Sequence, residues 1–375
     1  MMMTARERLL TTLRGGLADR IPIAGFDRHL LQGDKEREAR NRGLGLICHR
    51  PCYIESILNT EVLTKSGGPN TQVKIYNTPV GSVSEVLSYG AGYGIALFGR
   101  DWQGVVPRRK EFLVKKPEDY KVLKYIVENL HYEPYYFAIE DQIKRIGEDG
   151  IVVATLPYEP MQRILIEFVD WKRFYIDLMK NRETVEEIYE ILKDKYVKEL
   201  YPIAANSPAE VVMVGANIDS ILVNPPLFER YYIPPYEECA EILHPKGKML
   251  NVHMDGRLKA LKDHIAKTRL DVIEAFTPPP MGDLPINEAL NMWRGKVLWI
   301  NFPSTISTLM GPSPQNVKKY LIDLLEQTIP GERITLIVST ENRVPAENMM
   351  AMVEIMEKAK LPLTKEAIEE MRRSI

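Results

Sequence analysis

The chain holds 3 cysteines in 375 residues, an odd number and too few for a disulfide framework. Its apolar runs reach about six residues, as in Ile151 to Leu156, whereas a membrane-spanning helix needs about 20. Neither sign of charge dominates: 49 Lys and Arg stand against 51 Asp and Glu, a net charge of -2. That balance excludes a basic, nucleic-acid-coating surface and an acidic disordered tail. The 23 Gly and 26 Pro are too few for a fibrous or disordered chain. No Gly-x-Gly-x-x-Gly follows an apolar run, which counts against a dinucleotide-binding sheet. The opening Met-Met-Met-Thr-Ala-Arg-Glu-Arg is charged almost at once and has no apolar signal core. These absences predict a cytoplasmic protein with no membrane or nucleic-acid partner.

What remains is an ordinary globular balance, 45% apolar and 27% charged, in a chain long enough to bury a full core without disulfides or a structural metal. Thr4 and Glu7 form a capping-box pair ahead of Leu9, Leu10 and Leu13, and Gly15-Gly16 ends that first helix. Eight short apolar runs follow: Ile21–Phe26, Leu44–Ile47, Ile151–Leu156, Val211–Val214, Met249–Val252, Val272-Ile273, Val297–Ile300 and Ile334–Val338. Continuous apolar runs read as strands covered on both faces. The segments between the later ones have helical period, opened by Thr184-Val-Glu-Glu187 and by Ser313-Pro314 and closed by Glu347 to Lys360. Eight strands alternating with helices predict an α/β fold, a (β/α)8 TIM barrel with an N-terminal helical extension. Thr71 to Tyr89 alternates apolar and polar residues, which predicts a β-hairpin insertion, within a single domain spanning 1–375.

In such a barrel, chemistry sits where strands end. The runs are followed by Asp27-Arg28-His29, Cys48-His49-Arg50, Tyr158-Glu159, Asn217 and Asp219, His253 and Asp255, Glu274, Asn301, and Glu341-Asn342. His253-Met254-Asp255-Gly256 is the sharpest feature, because residues two apart on a strand point to one side. The pair reads either as ligands of one cation or as a histidine hydrogen-bonded to an aspartate. Glu274 and Glu341 each read alone as a cap or ion-pair carboxylate; together with Asp255 on one rim they would repel unless a divalent cation resolved them. Asn217 and Asp219 read either as substrate-holding groups or as caps of the segment beginning near Asn224. Cys48 and Cys52 look like half a zinc knuckle without its second pair, and buried thiols are usually packing.

Thr4-Ala-Arg-Glu-Arg-Leu-Leu and Asp19-Arg-Ile-Pro22 resemble the opening of the uroporphyrinogen decarboxylase superfamily. Val252-His-Met-Asp-Gly256 falls where its corrinoid-dependent methyltransferase branch has His-x-Cys-Gly, and Val344-Pro-Ala-Glu-Asn348 looks like that branch's closing Thr-Pro-x-Glu-Asn. The resemblance implies the same barrel, and a zinc ion held by a His, the Cys two residues on, and a Cys past the eighth strand. Here His253 matches, Asp255 replaces the second ligand, and Glu341 is the nearest residue to the third. The Arg-Gln-Ala-Gly-Arg loop of true decarboxylases is replaced by Phe26-Asp-Arg-His-Leu, which argues against porphyrinogen decarboxylation.

One imidazole and two carboxylates make a harder site than thiolates do, suited to the oxygen of a methyl ether. The expected reaction is methyl transfer from an O-methyl donor to the Co(I) corrinoid of a partner protein. His253, Asp255 and Glu341 would be the metal ligands, and Glu274, Asn217 and Asp219 the catalytic groups. Rim residues Tyr158, Met161, Phe276, Met281 and Phe302 favour an aryl methyl ether as the small-molecule donor. The alternatives are methyl transfer between a corrinoid protein and a thiol, and a non-catalytic barrel that binds a corrinoid or tetrapyrrole.

Overall fold

A computed structural model describes residues 3–30, 32–89, 108–309, 311–340 and 343–375. All eight apolar runs become strands: β1 (Ile23–Phe26), β2 (Leu44–Pro51), β3 (Gly150–Tyr158), β4 (Val211–Gly215), β5 (Met249–His253), β6 (Val272–Phe276), β7 (Val297–Asn301) and β8 (Ile334–Ile337). They close into a barrel in chain order, with β8 returning to β1. The registers are parallel, pairing Gly25 with Leu46, Val252 with Ile273, Trp299 with Thr335 and Leu336 with Ile23.

The barrel core follows from the two-residue period of a strand. Ala24 and Phe26, Ile151 and Val153, and Val297 and Trp299 belong to one buried cluster, joined by Ile47, Val211, Val272 and Ile337. The first helix, α1 (Ala5–Leu13), adds Leu9, Leu10 and Leu13 to that cluster. Its start is fixed as expected: Thr4 accepts from the Glu7 amide, and the Glu7 carboxylate accepts from the Thr4 amide at 2.8 Å. Gly45 on β2 has no side chain where Leu9 lies; a Cβ there would stand 3.0 Å from Leu9 Cδ1.

The chain forms two compact units. One comprises Met1–Cys52, Tyr135–Leu156 and Ala204–Ile375; the other comprises Tyr53–Pro134 and Pro157–Ile203. In the second unit the expected hairpin is present, Thr71–Thr78 against Gly81–Ser88. It is the middle of a four-stranded antiparallel sheet completed by Glu61–Ser66 and Arg108–Glu111. Tyr53–Ile57 pairs separately with Leu130–Pro134. A buried guanidinium orders this unit: Arg163 donates to Glu55 at 2.7 Å, Glu167 at 2.9 Å and the Tyr132 hydroxyl at 2.9 Å. The helix expected from Thr184 begins instead at Arg182.

In the first unit the helix after Ser313 runs Pro314–Glu326, and Leu321, Leu324 and Leu325 are buried as its period predicts. The next, Ala346–Met356, stops short of Lys360, and a further helix, Lys365–Arg373, follows a Thr364 cap. Leu9 is 1% exposed, so Leu9→Ala leaves a cavity among the barrel residues. It should cost about 3 kcal/mol, read as a shift in the midpoint of urea unfolding; a midpoint unchanged from wild type would contradict this packing.

Candidate active site at the barrel mouth

β2 and β6 lie opposite each other in the eight-stranded ring. Side chains from their carboxyl ends can therefore meet only through the barrel interior. They do: His49 Nε2 lies 3.4 Å from Glu274 Oε2. β5 and β6 are neighbours, with His253 directly opposite Glu274 in the register. His253 Nδ1 approaches Glu274 Oε1 at 3.3 Å, and Asn251 Nδ2 donates to Glu274 Oε2 at 2.8 Å. On its other side His253 Nε2 faces Asp255 Oδ2 at 3.5 Å. The result is a chain, His49–Glu274–His253–Asp255. Side-chain exposure runs from 5% and 1% at His49 and Glu274 to 17% and 35% at His253 and Asp255.

The strand itself is shaped for this. Ile273 pairs with Leu298 and Phe276 with Ile300, so β6 carries one residue more than β7 between those pairs. The extra residue is a bulge, and Ala275 within it has φ 59°, in the left-handed region. Bulges re-aim side chains beside active sites, and an alanine held at positive φ stores backbone strain. Glu274 thereby faces the barrel interior while Phe276 turns to pack edge-on against Trp293, 5.9 Å between ring centroids.

Charge follows from position. Burial alone would raise the Glu274 pKa; the imidazoles of His49 and His253 overcome it and hold this carboxyl far below the usual carboxylate range. Burial would likewise lower the His253 pKa, yet hydrogen bonds to Asp255 and Glu274 raise it to about 9. Asp255 is lowered too, burial opposing and His253 favouring the anion. An imidazole between two ionised carboxylates, which only accept, donates from both nitrogens and is a cation. Among the described residues, His49 Nδ1 and Asn251 Oδ1 are buried without a hydrogen-bond partner.

Of the expected catalytic groups, Glu274 is therefore central, and Asp219 is placed differently. Its Oδ1 accepts from the Ile221 amide at 2.7 Å and its Oδ2 from the Arg257 amide at 3.2 Å. It ties two mouth loops together. Gly256 serves that contact, because a Cβ there would stand 2.4 Å from Asp219 Cβ. Asn217 is exposed on the same loop with φ 57°. The segment at Asn224 is capped by Asn224 itself, which accepts from the Leu227 amide at 3.0 Å. Phe276 and Phe302 are fully buried, Phe302 edge-on to Tyr320, and act as packing. In the sequence His49 is one strand-end residue among several, with nothing to mark its role. Asn251 carries one signal, a lone amide inside the apolar run Met249–Val252.

The expected ligand set is His253, Asp255 and Glu341, and Glu341 lies outside the described residues. Among the described residues no three His, Cys, Asp or Glu side chains are gathered to hold a metal ion. The two described members do fit one: two ligands of a tetrahedral ion with bonds of about 2.0–2.2 Å lie roughly 3.4 Å apart, and His253 Nε2 and Asp255 Oδ2 are 3.5 Å apart. Burial pushes the Cys48 and Cys52 thiols up to about 12.

No protein-family model and no curated protein sequence matches the chain. Similar solved structures include a GH5 cellulase from a Bacteroidetes-affiliated source (8% identity, 97% of each chain, TM-score 0.45). A pneumococcal exo-β-D-N-acetylglucosaminidase GH20 module is similar at 12% identity over 97% of this chain and 91% of that one, TM-score 0.37. The mannonate dehydratase of Streptococcus suis serotype 2 is similar at 8% identity over 96% and 95%, TM-score 0.38.

The raised His253 value has a definite sign. Its stabilising contribution is complete below its ordinary 6.5 and is lost as pH rises through about 9. The lowered Glu274 and Asp255 contribute above their ordinary 4.5 and 3.8 and lose that contribution as pH falls. In chelator-treated protein, the His253 ring signals in NMR should titrate near pH 9. Unfolding stability should fall between about pH 6.5 and pH 9, and fall less in His253→Gln. A midpoint at or below 6.5 would mean that the carboxylates do not embrace the ring.

Proposed function

We propose that the chain is a metal-dependent methyltransferase of the corrinoid-dependent branch of the uroporphyrinogen decarboxylase superfamily. It takes a methyl group from an aryl methyl ether and passes it to the Co(I) corrinoid of a partner protein. The observation that carries this reading is the His253–Asp255 pair at the barrel mouth, beside the buried Glu274 carboxylate. His253, Asp255 and, as third ligand, Glu341 would hold a divalent ion, zinc by its nitrogen and oxygen donors. Bound there, the ion would supply Lewis-acid polarisation of the donor oxygen.

The residues of the chain do the rest. Glu274 accepts from His253 Nδ1 and so directs Nε2 toward Asp255, the second-sphere arrangement that fixes a ligating imidazole. Asn251 and His49 fix Glu274 in turn. As the C–O bond breaks, its electron pair stays on the aryl oxygen and the methyl group passes to the partner's cobalt. A phenol has a pKa of about 10, so a phenolate leaves more readily than an alkoxide and less help is asked of the site. The hard donor set favours an oxygen-bound donor over thiol chemistry.

Loading a metal on Nε2 requires His253 to release one proton. Zinc affinity of the purified chain should therefore rise about tenfold per pH unit between roughly pH 6 and pH 8, and His253→Ala should lose the metal in elemental analysis. Equal metal content in the two proteins would remove His253 from the ligand set. With a reduced corrinoid protein supplied, methoxyarenes should be demethylated faster than methanol or a methyl thioether. A faster thioether would assign the chain to thiol chemistry, and no transfer from any donor would leave a corrinoid-binding scaffold.

A further inference from the structure

Beside the polar chain lies a cleft of about 130 Å³ between the ends of β1 and β8, lined by apolar side chains, Phe26, Leu30, Val338 and Met349 among them, and by the polar His29, Asp34, Lys35 and Glu36. A cavity of about 150 Å³ takes benzene, so by size the cleft holds one aromatic ring, and its polar lining suits one that carries oxygen substituents. Phe26 joins the cleft to the polar chain. It lines the cleft and meets His49 edge-on, 4.7 Å between centroids at 88°, and His49 touches Glu274.

His29 gives the cleft its polar handle. Arg28 Nε donates to His29 Nε2 at 3.1 Å. A guanidinium only donates, so Nε2 accepts and the neutral ring carries its proton on Nδ1. Burial lowers the His29 pKa to about 4, with Arg28, His49 and Arg343 adding to it and Asp27 opposing. The ring is accordingly a neutral donor at neutral pH. Gly25 shapes the floor: a Cβ there would meet Leu30 at 2.9 Å, so glycine lets Leu30 close down. We propose that this cleft seats the arene of the methyl donor, with His29 Nδ1–H donating to an oxygen on the ring. The assignment rests on the methyl-transfer reading above and names the subsite that selects a flat, oxygenated aromatic over methanol or an aliphatic ether.

Gly33 offers the test. It lines the cleft, its φ of 162° is extended backbone that any residue adopts, and nothing lies within 4 Å of a Cβ built there. Gly33→Leu should therefore fill the space without disturbing the fold, checked by an unchanged thermal midpoint. Calorimetric titration of the full chain with 2-methoxyphenol should show binding that Gly33→Leu weakens at least about tenfold. His29→Phe, which keeps the wall and removes the donor, should weaken it about fivefold, the value of one hydrogen bond near 1 kcal/mol. Cyclohexyl methyl ether, similar in size but not flat, should bind at least about tenfold more weakly than 2-methoxyphenol. Unchanged affinity in Gly33→Leu, equal binding of the aliphatic ether, or no binding of 2-methoxyphenol by the wild type would overturn the proposal. Binding lost in Gly33→Leu but without methyl transfer in the wild type would keep the subsite and remove the reaction. Transfer from 2-methoxyphenol undiminished in Gly33→Leu would keep the reaction and remove the subsite.

Discussion

The Glu274 carboxylate governs the arrangement of the barrel mouth. An ionised carboxylate taken out of water is costly unless it is paired and hydrogen-bonded. Glu274 meets that demand from two sides, with His49 across the barrel and His253 and Asn251 on the adjacent strand. Since β2 and β6 stand opposite in the ring, the pairing exists only when the barrel is closed. Closure in turn depends on the apolar residues beneath: Ile47, Val272, Trp299 and the α1 leucines belong to one buried cluster. Apolar burial at one level thus makes possible an ion-pair network at another.

The two kinds of packing follow different rules. The core cluster keeps strict strand alternation and sits on a regular capped helix. The mouth departs from regularity at several places, with the β6 bulge, the left-handed Ala275 and Asn217, and the Asp219–Gly256 approach. Departures of this kind are retained where they position chemistry. Asp219 illustrates the division of labour: it spends both oxygens on backbone amides, so the loop that follows His253 and Asp255 is fixed by a residue that is itself committed elsewhere.

The electrostatics of the mouth are those of a site rich in ionised oxygen groups. The carboxylates at the mouth are ionised and the thiols are buried and protonated. A hard cation, a proton on His253, or both in turn are what such a site can hold. The neighbouring cleft mixes apolar side chains, Phe26, Leu30, Val338 and Met349, with the polar Asp34, Lys35 and Glu36 and the neutral imidazole of His29. Phe26 stands between the two, lining the cleft on one side and meeting the His49 ring on the other.

Much of this is legible in the sequence, for a definable reason. Strands buried on both faces must be continuously apolar, so all eight barrel strands stand out as runs, and a capping box marks α1 because its signals are local. His253 and Asp255 are legible because a spacing of two at a strand end places both on one side. The hairpin at 71–88 is legible by alternation, but the outer strands that widen it to four are not, because exposed edge strands need no apolar pattern. The partnership of His49 with Glu274 links residues 225 apart and is set by which strands oppose each other in a closed ring of eight. Asp219, which composition and position mark as a candidate for chemistry, becomes a loop tie only because the turn at Gly256 comes within reach of it. The sequence by itself determines the elements and the chemistry available at each strand end, since those depend on neighbours along the chain. Only the tertiary structure decides which of those groups meet, because barrel closure, not sequence separation, sets the distances between them.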